Sequence, residues 1–266
     1  VFSVKDFLDK GGATMTFPDR QESTFHYAWI IAITGTIVIM ACLGFGRFAL
    51  GMLLPSMASS LALSYAQIGY ISTGNFIGYL AAVLLCAPLA KKIGSRQLIV
   101  IALAVIAVSM ALISRAQSFF TVLLLYLITG IGSGAANVPM MGLITAWFDR
   151  AIRGRAAGFV VIGSGFAIII SGKLIPFVNG RLGPEGWRTN WMILAGAIAS
   201  IAVLAFFILR NKPEEKGLEP LGSVERAVPS VPLAAAVGRE NIYRNKTLYL
   251  LGSIYFLFGY TYVIYA

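Results

Sequence analysis

The sequence predicts an all-α polytopic membrane protein, and three observations carry that prediction. Hydrophobic residues make up 58% of the chain and charged residues only 12%, with a mean hydropathy of +0.81; soluble domains carry about a quarter charged residues. Several uncharged stretches reach the roughly 20 residues that a helix needs to cross a hydrocarbon core of about 30 Å. The basic residues collect in the gaps between those stretches. A β-barrel would need long alternating segments, which the chain lacks. The formal charge of +10 does not indicate nucleic acid, because that reading needs a basic patch on one solvated face. The lipid bilayer is the expected partner instead.

Six complete spans are expected at 28–54, 65–90, 97–114, 118–148, 156–178 and 189–210, with a seventh starting near 247. Span one has no cleavable signal before it and serves as the insertion signal, Met15 being a more natural start than Val1. Its end is placed at "PSMASSLALSYAQ", where Pro55 and a polar cluster predict a turn. Residues 1–26 form an N-terminal segment, 27–210 the bundle, 211–246 a charged linker with Pro220, Pro229 and Pro232, and 247–266 a truncated seventh helix. The chain stops at Ala266 inside an apolar run, so a missing C-terminal half is expected to complete it. Lys5, Lys10 and Arg20, the cluster Lys91, Lys92 and Arg96, the cluster Arg150, Arg153 and Arg155, and seven more basic residues from Arg210 to Lys246 share one side. Only Arg115, Arg181 and Arg188 lie opposite. The positive-inside rule therefore puts the N-terminus and the linker in the cytoplasm, as expected for a bacterial inner-membrane protein. Two basic residues remain, Arg47 and Lys173, and both fall inside spans.

"GRFALGMLLPSM" in span one, "GNFIGYLAA" in span two, "YLITGIGSGAANVP" in span four, "WFDRAIRGRAAG" after it and "GWR" at the start of span six together resemble the major facilitator superfamily, in its YbfB/YjiJ-like branch. The resemblance covers nearly everything from Trp29 onward. It implies the six-helix N-terminal half of a twelve-helix bundle with a 3+3 repeat, and a secondary transporter as the whole protein. Departures limit what is carried over. In "APLAKKIGSR", Ala87, Lys91 and Ser95 replace the usual glycine, aspartate and arginine, so Lys91 and Lys92 are read as positive-inside residues rather than as a gate latch. Span four has Tyr126 where many relatives have arginine. Span five lacks the Gly-Pro pair typical of drug antiporters.

Helix periodicity sorts the remaining residues. Gly74 and Gly78, and likewise Gly130 and Gly134, form small-xxx-small pairs that allow close helix approach. Gly158, Gly165 and Gly172, together with Gly154, share one face of span five and are read the same way. "GSGF" lies within a span, so it is not a phosphate loop. Tyr126, Thr129, Ser133 and Asn137 form a polar stripe on span four, and Ser72, Asn75 and Tyr79 another on span two. Such stripes face a bundle interior or a wet cavity, as interhelical bonds or as solute contacts. Cys42 and Cys86 lack metal-ligand spacing and read as packing residues. No metal site and no cofactor are expected.

Arg47 is then expected in the outer half of the membrane, with Gly44, Gly46 and Gly51 leaving room around it. Arginine recognises carboxylates bidentately, and no Asp or Glu lies within the six spans. Lys173 sits at a similar level, where snorkelling to the outer interface is the competing reading. The expectation is a transporter that binds a small anionic solute, an organic carboxylate, through Arg47 and Lys173, with neutral hydrogen bonds from Asn75, Tyr79, Tyr126 and Asn137. Alternating access would come from rocking against the missing half. The alternatives are an exporter of neutral or cationic compounds, and a membrane sensor or intramembrane enzyme. Enzyme chemistry is disfavoured because His, Asp, Glu or clustered Cys at depth are missing and His26 lies at the inner edge.

Overall fold

The computed structural model describes residues 26–223 and 249–257, apart from Tyr255. The expected segment before His26, most of the linker and the end of span seven lie outside the described residues. Six helices long and apolar enough to cross a membrane follow in order: α1 Tyr27–Ser60, α2 Tyr65–Ile93, α3 Ser95–Ile113, α4 Phe119–Trp147, α5 Arg153–Leu182 and α6 Gly186–Ile208. Local chemistry sets their ends. The His26 imidazole accepts from the Ala28 amide at the start of α1. Ser64 and Gln67 form a reciprocal capping box at α2, and the Ser118 hydroxyl accepts from the Thr121 amide at α4. A single residue, Gly94 at φ 89°, turns the chain from α2 into α3, a conformation that favours glycine.

One boundary differs from the sequence expectation. Pro55 does not end α1; the helix runs through it to Ser60, and the turn follows at Leu61–Ser64 with Ala62 at φ 50°. Pro88, Pro139 and Pro176 also lie within helices. A long apolar helix tolerates the missing N–H because neighbouring helices and side chains satisfy the freed carbonyl. The longer α1 puts Arg47 about 5 Å past the helix midpoint, nearer that midpoint than in the expected span.

The main helix pairings are α2 with α4, α1 with α5, and α3 with α6, and α3 also packs on α4. Exchanging α1 with α4, α2 with α5 and α3 with α6 maps the first three onto themselves, which is the 3+3 repeat. Trp147, Trp187 and Trp191 are fully buried, and Tyr126 meets Trp191 edge to face at 6.1 Å.

The two ends of the bundle are tied differently. At the end that holds the α1–α2 and α5–α6 turns, the Ser60 hydroxyl donates to Glu185 at 2.5 Å, Arg188 pairs with Glu185 at 2.5 Å, and Arg188 also donates to the carbonyls of Ser114 and Ala116. These contacts join α1, α3 and α6. Both groups hold the exposed Glu185 carboxyl below its ordinary value, the Ser60 hydrogen bond most strongly. At the opposite end residues 211–223, expected to begin the linker, fold back on the bundle together with residues 209–210 that follow α6. Leu221 bridges Trp147–Asp149 through two backbone bonds of 2.9 Å. The Trp147 indole donates to the Arg210 carbonyl and the Tyr27 hydroxyl to that of Ile208. Arg96 donates to the Phe206 carbonyl through its guanidinium and to Asn211 through its amide. Lys91 and Lys92 remain exposed.

Candidate functional site

The site is built on an irregularity in α1. Between two α-helical stretches, Met40–Phe48 winds as a π-helix and carries "MACLGFGRF". Such segments are rare and often mark functional positions. Two glycines allow it to sit tightly. A Cβ on Gly44 would fall 2.0 Å from that of Ala167 on α5, and one on Gly46 would fall 3.1 Å from the Ser133 hydroxyl on α4.

α4 supplies two donors to the main chain of this segment. The Ser133 hydroxyl donates to the Cys42 carbonyl at 2.7 Å, and the Tyr126 hydroxyl donates to the Arg47 carbonyl at 2.9 Å. Tyr126 is only 1% exposed. The guanidinium of Arg47 leaves the π segment toward α2, lying 4.0 Å from the centre of the Phe76 ring and 5.2 Å from that of Tyr79. This stacking stabilises a cation by about 0.5–2 kcal/mol, more as water is excluded.

α2 and α4 then close the arrangement. Their backbones touch at the predicted glycines: a Cβ on Gly78 would lie 2.1 Å from the Leu127 carbonyl oxygen, one on Gly130 2.1 Å from that of Asn75, and one on Gly134 2.8 Å from that of Tyr79. Gly74 meets the Leu123 side chain at 2.9 Å. At that spacing short side chains cross between the helices. The Asn75 amide donates to the Tyr126 carbonyl at 3.0 Å, and the Asn137 amide donates to the Tyr79 hydroxyl at 2.6 Å. The carboxamide oxygens of both Asn75 and Asn137 are buried and accept no hydrogen bond among the described residues. A buried acceptor left so costs about 1–3 kcal/mol, which a donor from a bound molecule or water would relieve.

Five of the six predicted site residues are thus in one connected constellation: Arg47, Asn75, Tyr79, Tyr126 and Asn137. Lys173 is not part of it. It lies exposed on α5 beside Gly172, and no hydrogen bond, ion pair or ring contact joins it to the other five. The glycine face of α5 also differs from expectation. Gly158 and Gly165 have nothing within 4 Å, and Gly172 reaches only Met52 at 3.9 Å. The contact with α1 is made one face over, where a Cβ on Gly163 would lie 2.0 Å from the Thr36 carbonyl oxygen. These spacings define a face, and among the described residues no helix backbone comes close to it.

Two features were missed in the sequence. Phe76, the ring nearest Arg47, is three residues before Tyr79 and so shares its helical side, a signal that the polar stripe concealed. The π winding has no periodicity signature, although paired glycines around an intramembrane arginine hint at a packed irregular segment. A polar group near the α5–α6 turn was also unforeseen: Asn190 donates to Asn179, and Asn179 lies 3.4 Å from the Ser56 hydroxyl. No group of three or more potential metal ligands occurs among the described residues.

Comparison with known proteins places this architecture. The Major Facilitator Superfamily model matches residues 36–266. The gallate transporter of Pseudomonas putida is 24% identical over 184 residues, covering 67% of this chain and 38% of that protein. The hexuronate transporter of Bacillus subtilis is 23% identical over 169 residues, covering 64% and 39%. The chain therefore spans about two-fifths of the length of these curated relatives. Among solved structures, a proton:xylose symporter of the same superfamily, bound to 6-bromo-6-deoxy-D-glucose, aligns with a TM-score of 0.63 at 17% identity over 72% of this chain and 47% of its own. That likeness is one of fold. The six membrane helices, their 3+3 pairing and the family match together show that this chain belongs to the Major Facilitator Superfamily.

Proposed function

We propose that the full-length protein is a secondary transporter that moves a small organic carboxylate across the bacterial cytoplasmic membrane by alternating access, with its N-terminus in the cytoplasm. The observation that carries this reading is the Arg47 guanidinium, held near the middle of the membrane helix α1 against Phe76 and Tyr79, with Tyr79 tied in turn to Asn137. A planar cation with fixed donors suits a carboxylate, which it can meet through two parallel hydrogen bonds. The open acceptor of the half-buried Asn137 suits a hydroxyl group on the same solute, while that of Asn75, buried between α2 and α4, would be reached only as those helices part during alternating access. Gallate and hexuronate, named for two relatives, are both carboxylate anions. Lys173 is an outlying second cation that could draw an anion inward from the outer side.

The contacts formed with the solute in the state facing one side must be remade in the state facing the other, so the six-helix lobe has to move largely as a body. The closures at both of its ends support that motion. An exporter of cations fits poorly, because a permanent cation at the site repels them.

The test is uptake into proteoliposomes holding the full-length protein, with labelled carboxylates compared against their uncharged amides. Accumulation of one or more carboxylates, competed by other carboxylates and not by the amides, is expected. Equal uptake of acid and amide would overturn the anion reading.

A further inference from the structure

The two hydroxyl contacts from α4 onto α1 are unlike the remaining polar bonds in the bundle, because they end on main-chain carbonyls inside the π-helical segment. Ser133 reaches the Cys42 carbonyl and Tyr126 the Arg47 carbonyl. These acceptors are five residues apart, the spacing of one π hydrogen-bond step, and the donors lie two turns apart on one face of α4. A change from π to α winding alters which amide each carbonyl meets. It also turns whatever follows by about one residue, roughly 100° around the helix axis. That rotation would take the Arg47 side chain off the Phe76 and Tyr79 rings.

We propose that Tyr126 and Ser133 are positioning residues: their hydroxyls hold the π register of α1 and thereby aim the Arg47 guanidinium at α2. The burial of Tyr126, whose hydroxyl is already committed to the Arg47 carbonyl, gives it this part instead of direct solute contact. The inference rests on the reading of Arg47 as the anion-binding group, but its test does not. Register is read by cross-linking whether or not any solute is carried.

The full-length protein, with other thiols replaced, would carry cysteines at 47 and 76 and be treated in membranes with a short bifunctional thiosulfonate. Cross-linking between Arg47→Cys and Phe76→Cys is expected in the parent background. Tyr126→Phe or Ser133→Ala should each lower the yield, by up to about fivefold, the shift in register equilibrium that one net hydrogen bond gives, and the two together by more. A control pair, Tyr79→Cys with Asn137→Cys, joins α2 to α4 and should not respond. Absence of the 47–76 product in the parent, or a yield unchanged in both single variants, overturns the proposal. Failure of both single variants to accumulate as folded protein also overturns it, since the hydroxyls would then hold the fold as a whole. A 47–76 yield that falls only in parallel with the control pair does the same.

Discussion

α2 and α5 occupy equivalent places in the 3+3 repeat and both carry glycines at helical spacing, yet the glycines behave differently. On α2, Gly74 and Gly78 meet α4 directly, and Gly130 and Gly134 answer from the other side. On α5 Gly158 and Gly165 of the longer stripe meet nothing and Gly172 meets only the tip of Met52 at 3.9 Å, and the close approach to α1 is made by Gly163, with Ala167 four residues on against Gly44. The equivalence therefore survives at the level of contact: Gly163 and Ala167 do for α5 what Gly74 and Gly78 do for α2. A regular spacing of small residues identifies a helix face. Whether a neighbour sits on that face depends on the rest of the fold.

The sharpest way to break this comparison is to enlarge the contacting glycines. Gly163→Val or Gly130→Val would drive a branched side chain onto a backbone oxygen 2.0 or 2.1 Å from the new Cβ. Strain of about 3 kcal/mol or more is expected, because the obstruction is main chain and cannot swing away. Thermal unfolding of the purified full-length protein should show a large fall in Tm for both. Gly165→Ala is the contrasting case. With open space around it, the substitution should leave Tm unchanged or raise stability by up to about 1 kcal/mol through helix propensity alone. A fall like that of Gly163→Val would mean that the stripe is covered by a part of the protein outside the described residues.

A smaller effect is expected at the α5–α6 turn. Glu185 joins Ser60 on α1 to Arg188 on α6, and its carboxyl is held below the ordinary 4.5. A lowered value means that the ionised clasp stabilises the fold fully above pH 4.5 and loses that stabilisation as pH falls through the depressed value. Because the group is exposed, the effect is small. Glu185→Gln should lower Tm slightly at neutral pH and flatten its dependence on pH in the acidic range; an identical acid profile in wild type and variant would remove the clasp.

The sequence made most of the fold legible because membrane helices announce themselves by length, composition and charge spacing. Its failures have separate physical causes. Pro55 reads as a stop, as it would in a soluble helix, whereas a long apolar membrane helix passes through it. Charge alone starts the linker at residue 211, although Leu221 and the Arg210 carbonyl bind the Trp147 end of the bundle through main-chain atoms that composition does not reveal. At the site, polar stripes on two spans located Asn75, Tyr79, Tyr126 and Asn137, since polar residues at depth must find partners. The stripes do not tell which of them is spent on backbone and which keeps an open acceptor. Tyr126 and Asn137 lie on the same stripe, but the first is spent on the Arg47 carbonyl and the second retains an open acceptor.

The most direct measurement is uptake of labelled carboxylates by the full-length Arg47→Gln variant in proteoliposomes, with expression and Tm followed in parallel. Glutamine keeps a hydrogen-bonding side chain and removes the charge. The account predicts a loss of about a hundredfold in uptake efficiency, the weight of hydrogen bonds to a charged group, with Tm close to wild type. Wild-type uptake by a folded Arg47→Gln protein would contradict it.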